Sequence, residues 1–222
     1  MAKTKRVQVL MEPSEFDALG RVARSRGTSV ASLMREAVCV QYACTTDRAR
    51  RSVAVQQFLR LPDTRLPHGG HSRRKLGNVV ASVFLDANVF LYAVGGEGPY
   101  RQPCRALLQA VGDGGLEAVT NTEVLQEILH VRSRRLNIKD AVVAVRSASD
   151  LVREVLPVRR EDVLEACKLL ERYHGLGARD ALHAAVMKSA SVHLLVSLDG
   201  DFDVIREIKR LSPTDALALA RP

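Results

Sequence analysis

Phe84-Leu85-Asp86-Ala87-Asn88-Val89-Phe90-Leu91-Tyr92-Ala93 is the stretch on which the reading of the chain turns. An apolar run, Val79-Val80-Ala81-Ser82-Val83-Phe84-Leu85, is long enough for one buried strand and stops at a carboxylate. A second apolar run starts at Val89, with Asn88 placed to cap a helix. Asp86 therefore falls at the C-terminal end of a strand. In open parallel α/β sheets ligands bind in the crevice outside the strand C-termini, so an aspartate there suits chemistry. Taken alone, it serves equally well as a cap for the helix that follows.

Working outward, Cys104 to Val111 reads as an amphipathic helix ended by Gly112-Asp113-Gly114-Gly115, and Leu116-Glu117-Ala118-Val119 as a short strand. Thr120-Asn121-Thr122 caps a helix bearing Val124, Leu125, Ile128 and Leu129, with Glu123 and Glu127 four apart on one side. Helical patterns near 138–152 and from Arg160 to Tyr173 flank a strand-like Val155-Leu156-Pro157-Val158. Asp180 lies in the first turn of an Ala-rich helix, where the dipole favours a negative charge. Val192 to Val196 is a buried strand running into Ser197-Leu198-Asp199-Gly200-Asp201-Phe202-Asp203. Strands alternating with helices predict a three-layer α/β domain with a parallel sheet. Asp86, Glu127, Asp180, Asp199 and Asp201 could then border one crevice. Carboxylates gathered there repel one another, which makes a divalent cation their natural partner, and oxygen-only ligation selects Mg²⁺ or Mn²⁺ over zinc.

At 222 residues the chain can hold one large domain, or a medium one with a small one. Aromatics are 4% with no Trp, so the core is aliphatic and a base-stacking platform would be poor. No apolar stretch of about 18 residues occurs and none follows the basic start, so no membrane span or secretory signal is expected, and a cytoplasmic protein is. Cys39, Cys44, Cys104 and Cys167 are scattered without metal-site spacing and read as buried thiols. The net charge of +8 is unevenly placed: residues 1–80 hold 15 Lys+Arg against 6 Asp+Glu, the remainder 18 against 19. The asymmetry predicts two modules, the first of which contacts a polyanion.

In the first module Arg6, Gln8 and Leu10 alternate with Val7, Val9 and Met11 as in a half-buried strand. Glu12-Pro13-Ser14-Glu15 opens a helix that Gly27 ends, and Thr28-Ser29 offers the cap of a second. Strand, helix and helix in about 40 residues cannot bury a core alone, which calls for a dimer. This pattern resembles a ribbon-helix-helix DNA-binding domain. The resemblance implies a small dimerisation domain over residues 1–44 that binds operator DNA, with Arg6 and Gln8 reading bases and the amides of Thr28 and Ser29 holding a phosphate. Leu10, the third outward position, departs from a polar reader. Residues 45–80 read as a basic tail and linker, with one apolar run, Val53 to Leu59, among Arg48, Arg50, Arg51, Arg60, Arg65, Arg73, Arg74 and Lys75. Two readings stand open there: a plain linker, or an arm that lays its apolar residues on the next module and offers an arginine to its acids.

The second module, residues 81–215, resembles a PIN domain, and more narrowly the VapC toxin ribonucleases. Four phrases carry the likeness: 84–92, Val124-Leu125-Gln126-Glu127-Ile128-Leu129-His130, Ala178-Arg179-Asp180-Ala181-Leu182-His183-Ala184-Ala185, and 197–203. The resemblance implies an endoribonuclease acting on RNA, with Asp86, Glu127, Asp180 and Asp199 as the acids, Asp201 as rival or fifth member, and Asp86, Asp180 and Asp199 holding Mg²⁺ or Mn²⁺. It makes Ser197 the hydroxyl that steadies the site and His183 a packed residue. Since ribbon-helix-helix antitoxins accompany VapC-like toxins, the whole chain resembles such a pair in one polypeptide, self-associating as a homodimer or higher homo-oligomer. The alternative is a repressor whose PIN-like domain is inactive and serves oligomerisation.

Overall fold

The computed structural model describes residues 11–25, 28–38, 44–63 and 82–220 of the chain. It divides into two compact units, 1–47 and 48–222. The strand expected around Arg6 and Gln8 lies outside the described residues.

The first unit contains α1 (Pro13–Ser25) and α2 (Val30–Val38). Glu15 reaches back to accept from the Glu12 amide at 3.0 Å, and Ser29 caps α2 by accepting from the Ser32 amide at 3.1 Å. The Thr28 amide donates to the Ala23 carbonyl at 2.9 Å.

The third helix, α3, spans Cys44–Leu59, and its residues from Arg48 onward belong to the second unit. The order there continues as β1 (Val83–Leu85), α4 (Ala87–Ala93), α5 (Arg101–Gly112), β2 (Ala118–Asn121), α6 (Thr122–Arg135), α7 (Ile138–Leu151), β3 (Glu154–Leu156), α8 (Arg160–Arg172), α9 (Ala178–Ser189), β4 (Leu194–Val196), a 3-10 turn (Gly200–Val204), β5 (Lys209–Leu211) and α10 (Pro213–Leu217). Among the described residues the strands form one parallel sheet in the order β3-β2-β1-β4-β5. Connections run outward from β1 to β2 and β3, then return to β4 and β5. Because parallel crossovers are right-handed, this reversal places α4 to α7 on one face and α8 and α9 on the other. The reversal point lies between β1 and β4, where the register pairs Leu85 with Val196. Side chains just past those two residues open into the crevice that this topology creates.

Over its described part the basic segment lays apolar residues on the α/β unit, and none of its described arginines pairs with the acids of the crevice. Ala54, Val55 and Phe58 of α3 are buried in the core of the α/β unit, and Phe58 meets Phe90 edge-to-face at 5.7 Å. The close approach depends on Gly112: a Cβ there would stand 2.5 Å from a Val55 methyl. Arg105 of α5 caps the end of α3 by donating to the Leu59 carbonyl at 3.1 Å, and Arg101 donates to both carboxylate oxygens of Asp63 at 2.9 and 2.8 Å. Arg51, largely buried, donates to Glu117 at 3.1 Å, and buried Arg132 donates to the Pro62 carbonyl at 3.1 Å. Of the segment's other arginines, Arg48, Arg50 and Arg60 are exposed, and Arg65, Arg73 and Arg74 fall outside the described residues.

Among the cysteines with described side chains Cys104 is buried, whereas Cys167 is exposed on α8, contrary to the expectation of a buried thiol. It sits on the outward face of a helix whose inner side is made by Ala166 and Leu169. No helix of the described residues is long and apolar enough to cross a membrane.

Candidate active site

Strand β1 delivers Asp86 to the crevice, where it caps α4 while standing near the other acids. It occupies the N-cap of α4, and its Oδ1 accepts from the Ala87 amide at 2.6 Å. Its Oδ2 accepts from the Asn88 side-chain amide at 2.6 Å and the Ser197 hydroxyl at 2.7 Å. Burial pushes this carboxyl up to about 7, against the lowering effect of the Ser197 bond, with Glu127 and Asp180 adding repulsion. Asn88, the other capping candidate, ties the two strand ends together, donating to Asp86 and, at 2.8 Å, to Ser197, and accepting from the Leu198 amide at 3.2 Å.

Strand β4 delivers the other half. The Ser197 hydroxyl, besides donating to Asp86, accepts from the Asp199 amide at 3.0 Å. Asp199 caps the 3-10 turn by accepting from the Asp201 amide at 3.0 Å, so that the turn presents both carboxylates. Arg210 of β5 fastens this loop from behind: it grips Asp203 through two bonds of 2.8 and 2.7 Å and donates to the Ser197 carbonyl at 3.2 Å.

Helices α6 and α9 contribute Glu127 and Asp180. Carboxylate oxygens of Asp180, Asp199 and Asp201 lie within 4.8 Å of one another, a spacing and a donor type that suit a hard divalent cation. Burial, followed by the charges of Asp199, Asp201 and Glu127, raises Asp180 to about 6. Glu127 is drawn aside, with Oε1 2.7 Å from Nη1 of Arg179. Asp180 folds back over the start of its own helix, where Gly177 leaves room: a Cβ there would lie 2.6 Å from Asp180 Oδ2. Gly177→Ala should consequently displace this carboxylate, lowering turnover by about 10²-fold, since misplacement by an ångström can cost that much. The melting temperature should stay within about 2 °C, because no core group is lost. Rate and melting measurements on the purified variant check both.

His183 has a packing role. It is buried against Phe84, its Nδ1 accepts from the Asn121 amide at 3.0 Å, and burial lowers it to about 4, so it is neutral. Asn121 in turn caps α6 by accepting from the Val124 amide at 2.9 Å, which fixes the helix that carries Glu127. Glu123 lies on the same helix, closer to its N-terminus, where its charge is felt by Arg179.

Two acidic strand ends at a topological reversal, flanked by helix acids, gather oxygen donors of the kind that suit a hard divalent cation. The family model of the PIN domain matches residues 83–208, and the chain belongs to that family. Ribonuclease VapC13 of Mycobacterium tuberculosis is 41% identical over 133 residues, covering 59% of this chain and 99% of the relative. Ribonuclease VapC7 of the same organism is 37% identical over 135 residues, 60% of this chain and 93% of the relative. Among solved structures, M. tuberculosis VapC20, described as a sarcin-ricin loop cleaving toxin, aligns with a TM-score of 0.48 at 23% identity, over 56% of this chain and 95% of that one.

Proposed function

We propose that this protein is a toxin-type endoribonuclease that hydrolyses RNA phosphodiester bonds with Mg²⁺ or Mn²⁺, joined in one chain to its own antitoxin-like DNA-binding segment. The observation that carries the ribonuclease reading is the convergence of Asp180, Asp199 and Asp201 beside the buried, triply hydrogen-bonded Asp86. Identity of 41% and 37% over nearly the full length of two proteins named VapC ribonucleases supports it. The complete acid set also speaks against an inactive domain kept for oligomerisation.

In this reading Asp86, Asp180 and Asp199, with Asp201, hold the ion, and Glu127 borders them. An ion held there would supply neutralisation of the charge that develops on the phosphate and would activate the attacking water. The protein's part is to fix the carboxylates: Ser197 and Asn88 prevent Asp86 from rotating away, and Arg210 anchors the loop that positions Asp199 and Asp201. Because those donors are set before substrate arrives, little reorganisation accompanies the reaction.

In this reading the first unit forms a ribbon-helix-helix dimer that binds operator DNA through Arg6 and Gln8, with Thr28 and Ser29 at the phosphate-facing helix start. Phe16 and Val22, 54% and 41% exposed on α1, are the apolar surface that a second copy would cover. The described arm, 48–63, is in this reading the antitoxin's toxin-binding segment held in cis.

The test uses the full chain and a piece starting at residue 44, which retains α3. Incubation with total RNA is expected to yield discrete fragments with Mg²⁺ and none with EDTA. A 44–222 piece that cuts no RNA at any Mg²⁺ or Mn²⁺ concentration would overturn the reading. DNA upstream of the reading frame should be shifted by the full chain and not by a variant carrying Arg6→Ala and Gln8→Ala.

A further inference from the structure

Arg179 stands immediately before Asp180 in the first turn of α9, and its guanidinium is spent on Glu127 at 2.7 Å. The two partners differ in exposure. The Glu127 side chain is 22% exposed and that of Arg179 55%, so the arginine is the more exposed partner, on the outer side of the pair. It is thus a cation beside a carboxylate cluster, bound to an acid that, like Asp86, stands outside the group of Asp180, Asp199 and Asp201. A planar guanidinium suits a phosphodiester as well as it suits a carboxylate, and an exposed pair is easily exchanged.

Exchange conserves charge pairing. When an RNA phosphate takes the guanidinium, Glu127 is released as a free carboxylate beside Asp86 and Asp180, both of which already feel its charge. Resting on the ribonuclease reading, we propose that Arg179 serves two partners in turn, Glu127 in the free chain and a backbone phosphate of the RNA in the complex. Substrate binding thereby delivers Glu127 to the acid group. In the free chain the same arginine opposes cation entry by simple repulsion. Arg179 is on this account a substrate-binding residue and, for Glu127, a positioning residue.

The two roles predict opposite signs for one substitution. Arg179→Gln in the full chain should bind Mn²⁺ about tenfold more tightly, because a unit positive charge within a few ångströms of the acids is removed. It should bind a fluorescent single-stranded RNA, measured in EDTA to prevent cleavage, about tenfold more weakly, with the log-log salt slope shallower by about 0.7. Arg179→Lys keeps the charge and loses the fork, so Mn²⁺ affinity should stay near wild type while RNA binding remains reduced. Tighter Mn²⁺ with weaker RNA supports the proposal. Both affinities within twofold of wild type, or both weakened together as in a merely structural defect, overturn it. A wild-type chain that binds no RNA overturns the ribonuclease reading and the phosphate half with it, while the Mn²⁺ titration still decides the hold on Glu127.

Discussion

Asp86→Asn is expected to silence cleavage and, in the metal-free chain, to gain on the wild type in stability as the pH rises from 4 to 8, by up to about 4 kcal/mol. The figure follows from a carboxyl raised from 3.8 to about 7, roughly 3 units at about 1.4 kcal/mol each. The sign follows from proton binding. Between the unfolded and folded pKa values the native state holds a proton that the unfolded state has released, so native stability falls as pH rises through that window. It is fully present below about 3.8 and lost above about 7. An asparagine has no such dependence. At any one pH its new amide group meets the Asn88 amide, donor against donor, which costs about 1–2 kcal/mol and shifts the curve without changing its slope. Urea titrations in EDTA at pH 4, 6 and 8 measure the difference. Parallel curves for the two proteins would mean that Asp86 ionises freely in the native state. Mg²⁺ should restore stability to the wild type at pH 8 and do little for the variant, since the stabilisation scales with affinity for the native state. A site that is costly to keep charged when empty is also one that binds a cation strongly.

How much of this was visible in the residues depends on whether a signal is local. Asp86, Asp180 and Asp199 announce themselves because each sits at a boundary between an apolar run and a helix or turn, and such boundaries are where parallel α/β folds place chemistry. Whether Asp86 or Asn88 caps α4 could not be read, because two good capping types stand two residues apart and helix ends are uncertain by that much. Strand β5 is not legible, for a different reason. Lys209 and Arg210 are two of its three residues, as suits an edge strand, and the apolar pattern that marks interior strands is missing. With it went Arg210, whose bonds to Asp203 and Ser197 join elements 7 and 13 residues apart. Arg179 was inside a recognised phrase, yet its partner Glu127 lies on another helix, and nothing in either segment names the other. The arm was half legible: the run Val53 to Leu59 showed a helix, but only packing shows that Val55 and Phe58 face inward and Val53 outward.

Phe58→Ala should destabilise the α/β unit by about 3–5 kcal/mol, the usual cost of emptying a fully buried aromatic site. Phe58 contributes to a core shared with Phe90 and the α4–α5 pair, so the loss would spread beyond α3 and lower the midpoint of the main unfolding transition. Val53→Ala, on the same helix but 65% exposed, should shift it by less than about 0.5 kcal/mol. Gly112→Ala approaches the same interface from the other side: its methyl would enter Val55, forcing either α3 or α5 to move and costing about 1–3 kcal/mol. Urea unfolding of the full chain followed by circular dichroism ranks the three. If Phe58→Ala costs under about 1 kcal/mol, α3 is only loosely applied and the arm can be peeled off cheaply. A cost in the expected range makes the arm part of the domain's core.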